Sequence, residues 1–214
     1  MRILCLSSCR VGVPLRKVTP VPNDVIYLAA PLVFSHTAPE AAQQVRMLRG
    51  EVVPPPELLP WLWDLHRPRP IATAAEVAVV EVCARRLYRH ASGWLIAHRT
   101  YTRLSVPDVT IEEMTDGQIL DSVLDLIAYL APMPVLVVPH FDCDFPGVGR
   151  LEARASIRNA LATVPHLFDP APVIERYGGP AACLKGDTAH YADAFIPTIG
   201  RALYARLEEV ARGQ

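Results

Sequence analysis

The segment Val77-Ala78-Val79-Val80-Glu81-Val82 is an almost unbroken apolar run, rich in β-branched residues. Such a run is typical of a strand that is covered on both faces, as in a parallel sheet. Shorter apolar runs predict three more strands at residues 3–6, 25–29 and 135–138, and a brief one around 166–168. The sequence therefore predicts a sheet of mainly parallel strands.

Helical patterns lie between these runs. Thr37 and Glu40 have the spacing of a capping box, and so do Thr110 and Glu113, so we expect helices that begin there and end near Gly50 and Leu130. Two further helices are predicted over residues 151–164 and about 192–210. Strands that alternate with helices indicate an α/β fold, whose chemistry lies beyond the carboxyl ends of the strands.

The composition limits the classes of function. The 214 residues predict a single domain over 1–214, and a net charge of -1 provides no basic surface for nucleic acid. No P-loop or glycine-rich fingerprint follows a strand, and no apolar run is long enough to span a membrane. Five cysteines without a CxxC pair argue against a disulfide framework or structural zinc and favour a cytoplasmic location.

Proline is unusually frequent, with 21 residues, and it clusters between residues 54 and 70. Because proline lacks an N–H and fixes φ, this stretch cannot form one long regular element. We expect a proline-rich insertion or lid around residues 51–72. Its Trp61 and Trp63 would either form a lid or acyl-binding wall or simply cover an edge of the core.

A candidate nucleophile follows the first strand, in Ser7-Ser8-Cys9-Arg10. Cys9 is the better intrinsic candidate because a thiol ionises more readily than a hydroxyl, and Ser8 is its competitor. The alternative is a polar transition from strand to loop with an inert cysteine.

A candidate base lies near the other end, in Asp187-Thr188-Ala189-His190. A catalytic histidine needs a carboxylate that orients it, and an i, i+3 spacing at the start of the predicted last helix would place both side chains on one side. The alternative is that Asp187 caps the helix and His190 is a surface histidine.

Together the two segments resemble the GDSL-type (SGNH) hydrolases, in particular their cysteine-containing variants similar to capsule-biosynthesis acyltransferase-like proteins. The resemblance implies a flavodoxin-like three-layer α/β/α sandwich. Cys9 stands at the nucleophile position, with Ser8 one place earlier, and Asp187 and His190 match the last block. The Gly-x-Asn-Asp block that supplies an oxyanion donor in that family is absent, which argues against ordinary esterase chemistry.

Other candidate site residues follow the remaining predicted strands. Glu81, Cys83 and Arg85 stand where that missing block would lie, and Arg85 is a candidate clamp for an anionic substrate group. Ser35 and His36 open a helix and would supply oxyanion donors or only a cap. His140 would line the pocket, bind a metal with Asp142, Asp144 and His190, or lie in a solvated loop.

The sequence therefore predicts an enzyme of acyl chemistry, either a hydrolase or an acyltransferase, with a small-molecule acyl substrate. It would have no resident cofactor, although a coenzyme A thioester is a candidate donor. No nucleic-acid or membrane partner is expected, and the oligomeric state is left open. The alternatives are a non-catalytic small-molecule or carbohydrate binding protein of the same fold, and a metal-dependent hydrolase.

Overall fold

The computed structural model describes residues 1–19, 25–27, 35–59, 75–97 and 105–213. Trp61, Trp63 and most of the predicted proline-rich lid lie outside these residues. The helices and strands, in chain order, are β1 (Ile3–Leu6), α1 (Cys9–Val18), β2 (Val25–Tyr27), α2 (Ala38–Leu48), a 3₁₀ helix (Pro56–Leu58), β3 (Val77–Val82), β4 (Arg86–His90), β5 (Leu95–Ile96), β6 (Val109–Glu113), α3 (Asp116–Leu130), β7 (Val135–Pro139), β8 (Asp144–Phe145), β9 (Gly149–Arg150), α4 (Glu152–Ala160), α5 (Ala171–Arg176), α6 (Gly179–Cys183) and α7 (Ile196–Ala211).

The central sheet is parallel and has the strand order β2-β1-β3-β7. Strand β3 lies inside it, with Val79 opposite Cys5 on one side and Leu136 on the other. All six residues of β3 are buried, which confirms the interpretation of this run as a strand covered on both faces. The brief strand expected around 166–168 is reduced to an isolated parallel bridge between Val137 and Leu167.

Helices cover both faces of this sheet. On one face, Ile3 and Val79 pack with Leu15 of α1 and Leu203 of α7. On the other face, alternate strand residues pack with side chains from three helices, among them Leu4 and Val80 of the sheet, Val45 of α2, Ile119 of α3 and Ile157 of α4. Since side chains alternate between the faces of a strand, the apolar residues of β3 serve both cores, with Ala78, Val80 and Val82 on one face and Val77 and Val79 on the other. The predicted α/β class is confirmed.

Two small antiparallel sheets, β5-β4-β6 and β8-β9, were not predicted. The sheet β5-β4-β6 was missed because Thr110 to Glu113 has the spacing of a capping box. These residues belong instead to strand β6, where Glu113 lies opposite Arg86 of β4. The helix begins later, at Asp116, and Thr115 caps it with Gln118. The first box, Thr37 with Glu40, is confirmed.

The last helix begins at Ile196, later than the predicted start near residue 192. The preceding residues instead form a tight turn, in which the Lys185 N–H donates to the His190 carbonyl at 2.8 Å and Leu184 bridges to Tyr191. Asp187 therefore does not cap this helix, and the predicted helical setting of Asp187 and His190 is wrong.

No helix in the described part of the chain has the length and apolar character that a bilayer crossing requires. The five cysteines all lie within the described residues, and each carries a free thiol.

Candidate active site

A pocket of about 650 Å³ opens beyond the carboxyl ends of β3 and β7. Its lining brings together residues that are far apart in sequence, including Arg10 of α1, His36, Cys83, His140, Arg154 of α4 and Ala189. This is the edge of a parallel sheet at which ligands bind in open α/β folds. Of the residues predicted from the sequence, His36, Cys83, Arg85 and His140 line this pocket directly.

Glu81, near the end of β3, anchors the floor of the site. Its side chain accepts hydrogen bonds from the Ser8 N–H at 2.7 Å and from Nε of Arg10 at 2.6 Å. Burial alone would raise the pKa of Glu81, but the charge of Arg10 and these hydrogen bonds outweigh burial and lower it. Glu81 is therefore ionised and pairs with Arg10, and both of its carboxylate oxygens accept hydrogen bonds.

Cys83 belongs to the same network. Nη2 of Arg10 donates to its sulfur at 2.8 Å, and its own N–H donates to the His36 carbonyl at 2.8 Å. Burial raises the pKa of the Cys83 thiol, so this sulfur stays protonated near neutral pH. Cys83 lines the pocket as a neutral thiol.

The two candidate nucleophiles differ in what surrounds them. Ser8 is the N-cap of α1: its hydroxyl accepts from the Arg10 N–H at 3.4 Å, and its residue surface is 3% exposed. Cys9 is the first residue of α1 and is only partly buried. Cys9 is thus the more accessible of the two.

Asp187 and His190 form a preassembled pair. The Nδ1–H of His190 donates to Oδ2 of Asp187 at 2.7 Å, while Oδ1 accepts from the N–H groups of Ala189 and His190. The Ala189 hydrogen bond is the main reason that the pKa of Asp187 is lowered. Thr188, at φ 55°, makes the turn that brings the two side chains together. Both side chains are 49% exposed, and Ala189 between them lines the pocket.

His140 is a second imidazole at the pocket. Burial, reinforced by the charges of Arg10 and Arg154, holds its pKa well below its ordinary value, so the ring is neutral. Its Nδ1 lies 3.3 Å from the Phe141 carbonyl, which can only accept a hydrogen bond. The proton is therefore on Nδ1, and Nε2 carries the lone pair.

The segment before α2 is occupied by its own cap. The N–H groups of His36 and Thr37 both donate to Glu40, at 2.6 and 3.2 Å, so these two amides are not free to bind an oxyanion. Ser35 is fully buried, and its hydroxyl has no hydrogen-bond partner among the described residues. His36 contributes its side chain to the pocket wall.

Arg85 is held by its own surroundings. Its Nε donates to the Met114 carbonyl at 3.2 Å, and its Nη1 contacts Asp116 at 2.6 Å and also Ser156. Arg85 was predicted to bind an anionic group of the substrate, but its guanidinium is already engaged by Met114, by Asp116 of α3 and by Ser156 of α4.

Arg154, in the first turn of α4, was missed by the sequence analysis. Its guanidinium carbon lies 5.2 Å from the ring centre of Phe141 and 4.9 Å from that of Phe145. Its Nη1 is buried with no acceptor among the described residues. The sequence signal that could have indicated Arg154 is its position in the first turn of the predicted helix that follows the His140 segment.

The predicted metal ligands do not converge. Asp142 is buried in a two-pronged ion pair with Arg150, at 2.8 and 2.5 Å. His140 instead lines the pocket beyond β3 and β7, together with Arg10 and Arg154. Within the described ranges no three His, Cys, Asp or Glu side chains are placed to hold a metal ion.

Comparisons with known proteins identify a family. Residues 1–102 and 97–206 match the TviD N-terminal domain, so the match extends over nearly the whole chain. No curated protein and no solved structure matches it. The resemblance to GDSL-type (SGNH) hydrolases is wrong, since the family that matches is a different one. The resemblance rested on two short segments, and only Asp187 and His190 matched closely, in a pattern that recurs by chance.

Proposed function

The chain belongs to the TviD N-terminal domain family, and on that premise we propose that it is an enzyme of acyl chemistry that acts at the pocket beyond β3 and β7. The family is named after a Vi capsule biosynthesis protein, TviD, and we propose a biosynthetic role for this chain as well. The substrate class is a small-molecule acyl compound, and a coenzyme A thioester is our candidate donor.

One observation carries this proposal: His190 is already hydrogen-bonded to Asp187, at 2.7 Å, beside the pocket. A carboxylate on Nδ1 fixes the tautomer whose Nε2 can accept a proton, and it stabilises the imidazolium that results. The turn at Thr188 places this pair next to Ala189, a pocket residue, which gives the base access to a bound substrate.

Cys9 is the proposed nucleophile. The competing Ser8 is engaged through its hydroxyl in the helix cap and through its N–H with Glu81, whereas the Cys9 thiol is partly exposed next to the pocket residue Arg10. The sulfur attacks the acyl carbonyl as His190 Nε2 takes the thiol proton, and the donor's leaving group departs with that proton. A thioester on Cys9 results.

The second half of the reaction regenerates the enzyme. An acceptor hydroxyl, amine or water loses a proton to His190 as it attacks the thioester, and the sulfur leaves and regains that proton. The acceptor alone distinguishes an acyltransferase from a hydrolase.

The test traps the acyl-enzyme. An acyl coenzyme A is mixed with the wild-type chain, Cys9→Ala, Ser8→Ala and His190→Ala, and the acyl adduct is followed by intact and peptide mass spectrometry. We expect an adduct on Cys9, its loss in Cys9→Ala, its retention in Ser8→Ala and at least hundredfold slower formation in His190→Ala. Cys183→Ala, which removes a buried thiol, is the matched control. Full turnover in both Cys9→Ala and Ser8→Ala would refute the covalent mechanism.

A second candidate is a non-catalytic binding protein for small molecules or carbohydrates. The network at the pocket floor favours it, because Arg10, Glu81 and Cys83 are engaged with one another and none of these three is available as an acid or base. Under this hypothesis the trapping experiment gives no adduct on any residue.

Two finer expectations are part of the proposal. The strand order β2-β1-β3-β7, with α1 and α7 on one face, supports a flavodoxin-like three-layer α/β/α sandwich. Five free thiols support a reducing, cytoplasmic location.

A further inference from the structure

Four of the described residues that line the pocket are arginines, and they differ in their partners. Arg10 is paired with Glu81 at 2.6 Å, Arg85 with Asp116 at 2.6 Å and Arg86 with Glu113 at 3.9 Å. Arg154 has no carboxylate partner and donates no hydrogen bond to any residue that the structure describes.

The charged groups around Arg154 do not pair with it. Burial and the nearby charge of Arg10 lower the pKa of Arg154 to about 10. Asp142 acts in the opposite direction, but its own carboxylate is engaged by Arg150. The guanidinium therefore remains a cation at neutral pH beside a second cation.

The contacts of Arg154 with the rings of Phe141 and Phe145 orient its guanidinium and compensate its positive charge only in part. Aromatic faces attract a cation but offer its N–H groups no conventional acceptor atom. One guanidinium nitrogen of Arg154 is fully buried with no acceptor in the described parts of the chain. A buried guanidinium is ordinarily paired with an acid or an oxyanion, because an unpaired buried charge is costly. The rings fix the plane of a planar, forked donor at the pocket wall, as recognition of carboxylate or phosphate requires.

We propose that Arg154 forms a subsite for an anionic oxygen group, a carboxylate or a phosphate, of the molecule that occupies this pocket. The neighbouring Arg10 adds to the positive potential, and the imidazole of His140 is neutral, so it adds no third positive charge. As an assignment of substrate class the inference rests on the proposed function, whereas anion binding itself can be measured without turnover.

The experiment measures the unfolding midpoint of the chain in inorganic phosphate and, separately, in malonate, against sodium chloride of the same ionic strength. A ligand that binds only the folded state raises the midpoint with its concentration. We expect a rise in the wild type, and an apparent dissociation constant at least tenfold higher in Arg154→Gln. Arg154→Lys, which keeps the charge but not the fork, is expected to lie between them.

Arg86→Gln is the matched control, since it removes the same charge from the same pocket but at an exposed, already paired side chain. It should bind the anion as the wild type does. Each Arg154 variant is compared with itself in chloride, so a change in its basal stability does not enter the result. A response to phosphate alone or to malonate alone identifies which of the two sources supplies the anionic group.

Two results would overturn the subsite: no rise with either anion, or equal weakening in Arg154→Gln and Arg86→Gln, which would indicate diffuse charge. The acyl trapping experiment separates this failure from failure of the proposed function. If the anions bind but no acyl adduct forms, the subsite is supported and the proposed function is refuted. If an adduct forms at an unaltered rate in Arg154→Gln and neither anion raises the midpoint, the proposed function is supported and the subsite is refuted.

Discussion

At the scale of single residues, the buried pair of Arg10 and Glu81 holds the end of β1, the start of α1 and the end of β3 together. The side chains are 12% and 2% exposed, and Glu81 also accepts the Ser8 N–H. A charge left without its partner in such a place is costly, whereas replacement of both partners by apolar groups is often tolerated.

We therefore predict that Arg10→Met lowers the free energy of unfolding by about 3 kcal/mol or more, since it leaves Glu81 buried and unpaired. Arg10→Met with Glu81→Leu should cost clearly less than the sum of the two single changes. Urea unfolding of the four chains at pH 7 gives the coupling energy. Arg86→Met, at the exposed pair with Glu113, is the control and should change stability by less than about 1 kcal/mol. Additive effects in the double variant would contradict the prediction.

At the scale of elements, the contact between α1 and α7 depends on a residue without a side chain. A Cβ on Gly200 of α7 would lie 2.5 Å from the Pro14 carbonyl oxygen and 3.0 Å from Cγ1 of Val18. Because the oxygen belongs to the backbone of α1, it cannot turn aside as a side chain would. The two helices approach closely there because position 200 is glycine.

Gly200→Ala is thus expected to force the helices apart and to destabilise the fold by about 1–3 kcal/mol, despite the better helix propensity of alanine. Gly117→Ala is the matched control, because a Cβ on this glycine of α3 meets nothing within 4 Å. Its free energy of unfolding should be unchanged or rise by up to about 1 kcal/mol. Thermal or urea unfolding of both variants tests this prediction. Equal stability of the two variants would show that the helices adjust freely.

At the scale of the whole molecule, Glu40 links stability to pH. Burial raises the pKa of Glu40 to about 7, from an ordinary value of 4.5. Between these values the unfolded chain has released the proton and the folded chain keeps it. The stabilising contribution of the protonated group is therefore complete below about pH 4.5 and is lost as pH rises towards 7.

Replacement of Glu40 by glutamine should remove this dependence, because an amide can still accept from the His36 and Thr37 N–H groups but does not ionise. We expect the free energy of unfolding of Glu40→Gln, relative to wild type, to rise by about 3 kcal/mol between pH 4.5 and 8. Glu57→Gln, at an exposed glutamate, is the control and should show no such trend. Parallel pH profiles for Glu40→Gln and wild type would show that folding does not raise the pKa of Glu40.

The parallel sheet could be predicted from the sequence because burial on both faces leaves a continuous apolar run, as in Val77–Val82. The antiparallel sheet β5-β4-β6 could not be predicted from the sequence. Thr110 to Glu113 has the spacing of a helix cap, and only its pairing with β4 makes it a strand. The same holds for the site. Strand order places Glu81, Cys83 and His140 at one edge, but the role of Arg154 depends on stacking with Phe141 and Phe145, which no local pattern encodes.

The meeting of α1 and α7 at Pro14 and Gly200 has a consequence for synthesis on the ribosome. Translation completes the first of these helices long before the last one emerges. Until then, one face of the growing sheet, including Ile3 and Val79, has no cover from Leu203 and Leu207. While the residues between these two helices are translated, the nascent chain therefore carries an open apolar surface, and we expect chaperones that hold apolar segments to bind it.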